Sequence, residues 1–274
     1  MTWFQALLLG IVQGLTEFLP VSSSAHLVLV PWVLGWDVEP EAAFVFDVLV
    51  QLGTLTAVVI YFWPDLVHML RSTLRAAIAR RWTGDAYLRL TWLVVLGTVP
   101  AVAAGLLLKP LVEAAFGSPT AVSLFLLVTA GLLAGAEKVG RRSKALESAS
   151  WIDALWVGLA QAISIFPGIS RSGSTIAAGL ARGLQRPAAA RFSFLLSIPV
   201  MIGAGLVAGL DLAALPDAAA YGPVVLVGFA AAAVVGYLSI RWLLTFVGRH
   251  SLTAFSIYCL AAGLAGLLLS WVRT

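Results

Sequence analysis

Two short stretches of an otherwise apolar chain hold the side chains most able to do chemistry. The first runs from Gln13 through Glu17, Pro20, Ser22, Ser23 and Ser24 to His26; the second runs from Gln161 through Pro167, Gly168, Ser170, Arg171, Ser172 and Ser174 to Thr175. Gln13 and Glu17 are four positions apart and so share one face of a helix. A carboxylate there could hold a divalent cation, act as a general base, or pair with Arg171. His26 beside a serine run offers the hydroxyl, imidazole and carboxylate that a serine or histidine nucleophile needs; the plainer alternative is a capping or packing histidine. Arg171, flanked by Ser170 and Ser172, precedes a helix predicted to start near Ser174. A helix N-terminus next to a guanidinium suits phosphate oxygens. In the plainer reading Ser174 or Thr175 is only an N-cap and Arg171 snorkels to the interface, although a mid-membrane Arg costs ~2.5–3.5 kcal/mol on insertion scales.

The surrounding composition explains why these residues stand out. Apolar residues make up 61% of the 274 positions and charged residues 11%, with a mean hydropathy of +0.98. This is an all-α integral membrane protein. A spanning helix needs about 20 apolar residues, and the pattern predicts six: Ala43 to Phe62, Leu90 to Leu108, Thr120 to Ala136, Pro187 to Gly209, Val224 to Leu243 and Thr253 to Val272. The links between them are too short for a soluble domain, so residues 1–274 are expected to form one membrane domain. A net charge of +4 does not argue for nucleic acid, because the basic residues are scattered between spans. If the loop from Trp63 to Arg89 is cytoplasmic, all of the 17 Lys and Arg except Lys109, Arg171 and Arg273 fall on the inner side, as the positive-inside rule requires. The outer loop around Asp211 and Asp217 carries no basic residue. The start lacks a basic n-region, so no cleaved signal peptide is expected. The lone Cys259 excludes a disulfide framework and a thiolate metal site.

The sequence from Gly10 to Phe18 can be laid on that from Gly158 to Phe166 without a gap: Gly, Gln and Phe coincide, and Ile11/Leu159, Leu15/Ile163 and Thr16/Ser164 are similar pairs. Each copy then meets a proline and a serine cluster, and each is followed by three expected spans. An odd number of crossings inverts the second copy, giving repeats over residues 1–140 and 151–274. Met1 to Trp36 and Trp151 to Leu184 read as re-entrant hairpins of two short helices, divided at Pro20 and Pro167. Irregular backbone at that depth is tolerated only inside protein or against a wet cavity, so the two turns should face each other, as in other inverted-repeat membrane proteins. Asp47 and Gln51 share a face of the first span and either line the same cavity or join helices by a hydrogen bond. Glycines of the last span are suited to a homodimer contact.

With these motifs in place, the sequence resembles the undecaprenyl-pyrophosphate phosphatase family of bacterial membranes, associated with bacitracin resistance. The likeness rests on Gln13 to Glu17 running into FLPVSSSAH, on Pro167-Gly-Ile-Ser-Arg-Ser-Gly-Ser-Thr175, and on FDVLVQLGTLTAVV after Phe46. It implies hydrolysis of the terminal phosphate from a C55 polyprenyl pyrophosphate, with Mg²⁺ or Ca²⁺, in the inner membrane, at a site open to the outer face. The product is the lipid carrier used in cell-wall synthesis. By the same resemblance, Glu17 binds metal or activates the reaction and Ser23 and His26 supply nucleophile and proton transfer. Arg171 with Ser170, Ser172 and Thr175 cradles the pyrophosphate, and Ser22, Ser24, Gly168 and Ser174 join them. Many members have Glu where this chain has Gln13, which puts in doubt any scheme needing two metal-binding carboxylates. The rival class is a lipid flippase or transporter, which would bind the headgroup and leave its phosphates intact.

Overall fold

The computed structural model describes the chain except residues 37–39, 83, 140–141, 214–221 and 274, and except the side chains of 40–45, 208 and 211–213. The expected loop around Asp211 and Asp217 therefore lies outside the description. The described residues form α-helices and one short 3-10 turn, Leu146–Ser148. In chain order the helices are α1 (Trp3–Phe18), α2 (Ser23–Leu34), α3 (Pro40–Tyr61), α4 (Trp63–Ala79), α5 (Ala86–Leu107) and α6 (Lys109–Phe116), then α7 (Pro119–Val139), α8 (Trp151–Ile163), α9 (Arg171–Ala181), α10 (Arg186–Ala213), α11 (Gly222–Val247) and α12 (Thr253–Arg273).

Five of these, α5, α7, α10, α11 and α12, are long and apolar enough to cross a membrane, and the α3–α4 pair, bent by 72°, makes a sixth if taken as one span. These are the stretches that hydropathy marks out. The segment after Trp63, expected as a loop, is instead helical as α4. Pro64 sits in its first turn and Asp65 complements its N-terminal dipole. Met69, Ser72 and Ala76 are buried while Leu70, Leu74 and Ile78 are exposed, a 3.6-residue period that an average hydropathy does not see. Asp85, at the start of α5, ties back to α4: the Ser72 hydroxyl, and then the Tyr87 N–H, hold its carboxyl below the ordinary range.

Neither partner of the two helix pairs flanking Pro20 and Pro167 reaches spanning length: α1 and α2 have 16 and 12 residues, α8 and α9 have 13 and 11. Both leading helices start from a reciprocal cap, Thr2 with Gln5 and Ser150 with Asp153. Each also makes the same kind of close approach to a neighbour. A Cβ on Gly10 would fall 2.4 Å from the Gly228 carbonyl oxygen of α11, and one on Gly158 would fall 2.5 Å from the Gly97 carbonyl oxygen of α5. Only glycine permits backbones to touch in this way. Phe18, at the end of α1, packs edge-on against Phe194 of α10 at 5.4 Å, which fixes the first turn in the main core. Gly263 and Gly266 of α12 are filled by Leu127 and Ser123 of α7, so the glycines expected to serve a dimer are taken up within the chain.

Away from the turns, one buried acid and two half-buried ones are matched to bases. Asp153, fully buried, accepts from Arg182 at 2.7 Å and lies 3.2 Å from Lys144. Glu137 joins α7 to Arg186 at 2.6 Å and Asp65 joins α4 to Arg191 at 2.5 Å. Removing one partner of such a pair leaves an uncompensated charge.

Candidate active site

The two proline turns meet directly. Leu19 and Pro20 end α1, and the chain turns through Ser22 at φ 67° before α2 begins. Left-handed backbone at a non-glycine residue costs about 1–3 kcal/mol and persists only when the surroundings enforce it. The second turn solves the same problem with glycine: α8 stops at Ile163 and Gly168 takes φ 105°. Ser170 then caps α9, its hydroxyl accepting from the Gly173 N–H at 3.0 Å.

Glu17 is the centre of the contact. Its Oε1 accepts from Arg171 Nη2 at 2.5 Å, and its Oε2 accepts from Ser23 Oγ at 2.5 Å and Gln13 Nε2 at 2.9 Å. Four of the residues singled out in the sequence are thereby joined through one carboxylate. Two further bonds stitch the turns: Ser172 Oγ donates to the Leu19 carbonyl at 2.9 Å, and the Gly168 N–H donates to Ser24 Oγ at 3.4 Å.

These residues line a chamber of about 330 Å³, walled by Glu17, Ser22, Ser23, Ser24, Gln161, Ser164, Ser170 and Arg171. It shares Glu17, Ser23, Ser24, Gln51, Phe116 and Ala204 with a larger cavity of about 790 Å³. That cavity is mostly apolar, with Leu9, Leu27, Val28, Pro31, Trp36 and Phe46 in its walls and Gln13, Asp47, Gln51 and Glu113 as its polar points. Several buried atoms have no hydrogen-bond partner in the protein: Arg171 Nη1 and both amide atoms of Gln161, in residues of the chamber wall, and Gln13 Oε1, in a residue of the larger cavity. Leaving such groups unpaired costs about 1–3 kcal/mol each, a cost that a polar ligand or water bonding them would relieve. A guanidinium, an amide and the start of a helix suit an anion.

The remaining expected residues lie elsewhere. Ser172 is spent on Leu19, and Thr175 Oγ1 bonds the Arg171 carbonyl at 2.7 Å and Ser193 Oγ at 2.6 Å. Ser174 is buried, its hydroxyl without a partner, and does not appear in the chamber wall. Gly168 is packed against α7, where a Cβ would sit 2.4 Å from the Val122 carbonyl oxygen. His26 bonds neither Ser23 nor Glu17 and is not in the wall of either cavity: its Nδ1 lies 2.7 Å from the Ser22 carbonyl oxygen and its Nε2 lies 2.6 Å from the Tyr258 hydroxyl.

Three participants were not singled out as site residues in the sequence. Gln161 was marked as the first residue of the second stretch and as the repeat partner of Gln13, but was given no role. Thr129 of α7 splints the second turn, donating to the Gly168 carbonyl and accepting from the Ser170 N–H, both at 2.9 Å. A lone threonine in an apolar span gives no local signal of that task, and the same holds for Tyr258.

Fold and site together define a helical membrane protein whose polar chamber, walled by a guanidinium, an amide and hydroxyls, shares part of its wall with a mostly apolar cavity. The chain belongs to the family described as bacitracin resistance protein BacA, whose profile matches residues 6–265. It is 45% identical over 275 residues to the undecaprenyl-diphosphatase of Thermomicrobium roseum, covering 98% of each chain. It is 46% identical over 267 residues to the undecaprenyl-diphosphatase of Rubrobacter xylanophilus, covering 97% of this chain and 98% of that one. The undecaprenyl-diphosphatase of Pelotomaculum thermopropionicum is 44% identical, with 100% of this chain and 98% of that one covered.

Proposed function

We infer that this chain is a membrane phosphatase that hydrolyses undecaprenyl diphosphate to undecaprenyl phosphate and inorganic phosphate, returning the lipid carrier to cell-wall synthesis. The observation that carries the reading is the bonding of Ser23 and Arg171, from distant parts of the sequence, to one carboxylate, Glu17, in a shared chamber. An isoprenoid tail leaves lipid only at ~0.8 kcal/mol per CH₂, so the reaction belongs where the tail already is. The apolar cavity takes the first isoprene units, the rest of the tail stays in the bilayer, and the diphosphate enters the polar chamber.

In the proposed reaction Ser23 Oγ attacks the terminal phosphorus while its proton passes to Glu17 Oε2. The bond from that phosphorus to the bridging oxygen breaks, and the bridging oxygen leaves on the lipid monophosphate. Glu17 passes its proton to the departing lipid phosphate oxygen and is a carboxylate again; water then cleaves the phosphoserine, one of its protons moving to Glu17 and from Glu17 to the leaving Ser23 oxygen, which re-forms the hydroxyl. Arg171, through Nη1, and Gln161 neutralise and orient the charge that builds on the phosphoryl oxygens. We assign the proton transfer to Glu17 rather than His26, because both imidazole nitrogens are bonded elsewhere.

The family implies a divalent cation, Mg²⁺ or Ca²⁺. Among the described residues no three His, Cys, Asp or Glu side chains gather as ligands. One carboxylate and one buried, unpartnered carbonyl oxygen, Glu17 and Gln13 Oε1, are the groups that would hold it. That sparse set fits Mg²⁺, which commonly takes one or two carboxylates along with phosphate oxygens. When bound, the ion would offset negative charge on the diphosphate.

The matched contacts of Gly10 and Gly158 support an inverted repeat with two re-entrant hairpins, and the bent α3–α4 pair supports six spans. The large cavity is lined by Met1, Trp36, Glu113 and Phe116, all in segments that the distribution of basic residues assigns to the outer side. An opening toward the outer face of the inner membrane follows. Purified protein in detergent with the lipid diphosphate and Mg²⁺ should release inorganic phosphate. Binding of the lipid without phosphate release would reject hydrolysis and favour a flippase.

A further inference from the structure

Tyr258 of α12 is 232 positions from His26 and outside both family motifs, yet its hydroxyl lies 2.6 Å from His26 Nε2 with the two rings only 7° from parallel. The other ring nitrogen, Nδ1, lies 2.7 Å from the Ser22 carbonyl oxygen. A carbonyl oxygen only accepts, so Nδ1 must carry the proton. In neutral imidazole Nε2 is then a bare acceptor, and the Tyr258 hydroxyl is the donor that satisfies it. The Ser22 carbonyl thus fixes the tautomer, and Tyr258, whose hydroxyl can donate or accept, caps the bare Nε2 and holds the ring in place.

That grip falls on the strained residue of the turn, since Ser22 is the one at φ 67°. Its hydroxyl is held by the Ala25 N–H at 3.4 Å and Ser24 Oγ at 3.1 Å, while its carbonyl is held by His26. Ser23 follows directly and must keep its Oγ 2.5 Å from Glu17. Helix α12 also reaches the turn at a second point, where Cys259 Sγ donates to the Pro20 carbonyl at 3.6 Å. We propose that Tyr258 is a positioning residue: by donating to His26 Nε2 it holds the ring with its Nδ1–H on the Ser22 carbonyl, which pins Ser22 and so aims Ser23 at Glu17. The proposal rests on the reading of Ser23 as the reacting hydroxyl.

The test joins a spectroscopic and a kinetic arm. With ¹⁵N-histidine protein, the His26 resonances, assigned by their loss in His26→Asn, should report the Nδ1–H tautomer, and in Tyr258→Phe the Nε2 resonance should shift as it loses its hydrogen-bond donor. Tyr258→Phe keeps the ring and removes only the donor, and should lower kcat about three- to tenfold with KM for the lipid diphosphate little changed. His26→Asn keeps a donor at the place of Nδ1 but nothing at Nε2, so adding Tyr258→Phe to it should cost nothing more. An Nε2–H tautomer in the unaltered protein overturns the proposal without needing any Tyr258 variant. So does an unchanged kcat in Tyr258→Phe, or an equal loss in the His26→Asn background. Full turnover by Ser23→Ala would instead reject the role of Ser23 and leave the tautomer result standing.

Discussion

Gln13 and Gln161 hold matching places on α1 and α8 and live in opposite circumstances. Gln13 donates to Glu17 and to Thr54, whereas Gln161, 1% exposed, has neither amide atom bonded to protein. The cause is local: four residues on, the first copy has Glu17 and the second has Ile165. The turns differ in the same sense. The first bends through a strained serine and carries the carboxylate and the hydroxyl; the second bends through glycine and carries the guanidinium and the unpaired amide. The first half has its polar groups bonded to one another, and the second keeps an unpaired Nη1 and an unpaired amide, the half that our proposed reaction assigns to the phosphate.

The sharpest way to break this contrast is to remove the receiving charge. Arg171→Ala should lower kcat for phosphate release by about 10³-fold, the upper range for losing one oxyanion-type donor. Arg171→Lys restores the charge without the planar fork and should recover only part of it. Near-normal turnover by the Ala variant would mean that the second turn does not receive the phosphate.

The bends themselves come next. At Gly168 a side chain meets both a left-handed φ of 105° and the Val122 carbonyl oxygen at 2.4 Å, so Gly168→Ala should cost about 3 kcal/mol in thermal or denaturant unfolding. Ser22→Gly relieves strain while losing a weak cap, and should change stability by less than about 1 kcal/mol. Equal costs would show that the two turns are not built differently.

Where the copies are alike, their variants should be alike. Gly10→Ala and Gly158→Ala each drive a methyl into a neighbouring glycine carbonyl, at 2.4 and 2.5 Å, and each should cost about 2 kcal/mol. A large cost at one and none at the other would undo the structural equivalence of α1 and α8.

What the sequence made legible follows from the range over which each signal acts. Hydropathy is summed over a whole helix, so the stretches that become α5, α7, α10, α11 and α12 were readable to within a few residues. The breaks at Pro20 and Pro167 were readable because proline acts on its own backbone. The interfacial period of α4 was hidden inside a segment with too little net hydropathy to register. Within the site, Glu17, Ser23 and Arg171 could be singled out by type, but the bonding of the His26 nitrogens to Ser22 and Tyr258 could not be read, because Tyr258 lies on a distant helix. Ser172 and Thr175 likewise looked equivalent to Ser170 until the winding of α9 turned them toward Leu19 and Ser193.

The smallest effect returns to the two glutamines and is the most discriminating, because stability and affinity should move in opposite directions. Gln161→Ala removes a buried amide that no protein group satisfies, and so should raise stability by about 1 kcal/mol, after a small loss of packing is set against the desolvation relieved. The same change removes a donor from the wall facing the diphosphate and should raise KM by roughly tenfold, the effect of one neutral hydrogen bond of about 1.4 kcal/mol. Gln13→Ala has no such trade: it strips a donor from Glu17 and a bond from Thr54, and should lower stability and kcat together. Unfolding curves and steady-state phosphate release on the two variants decide it. If Gln161→Ala loses stability without a change in KM, its amide serves packing, and the second turn is not the receiving half of the site.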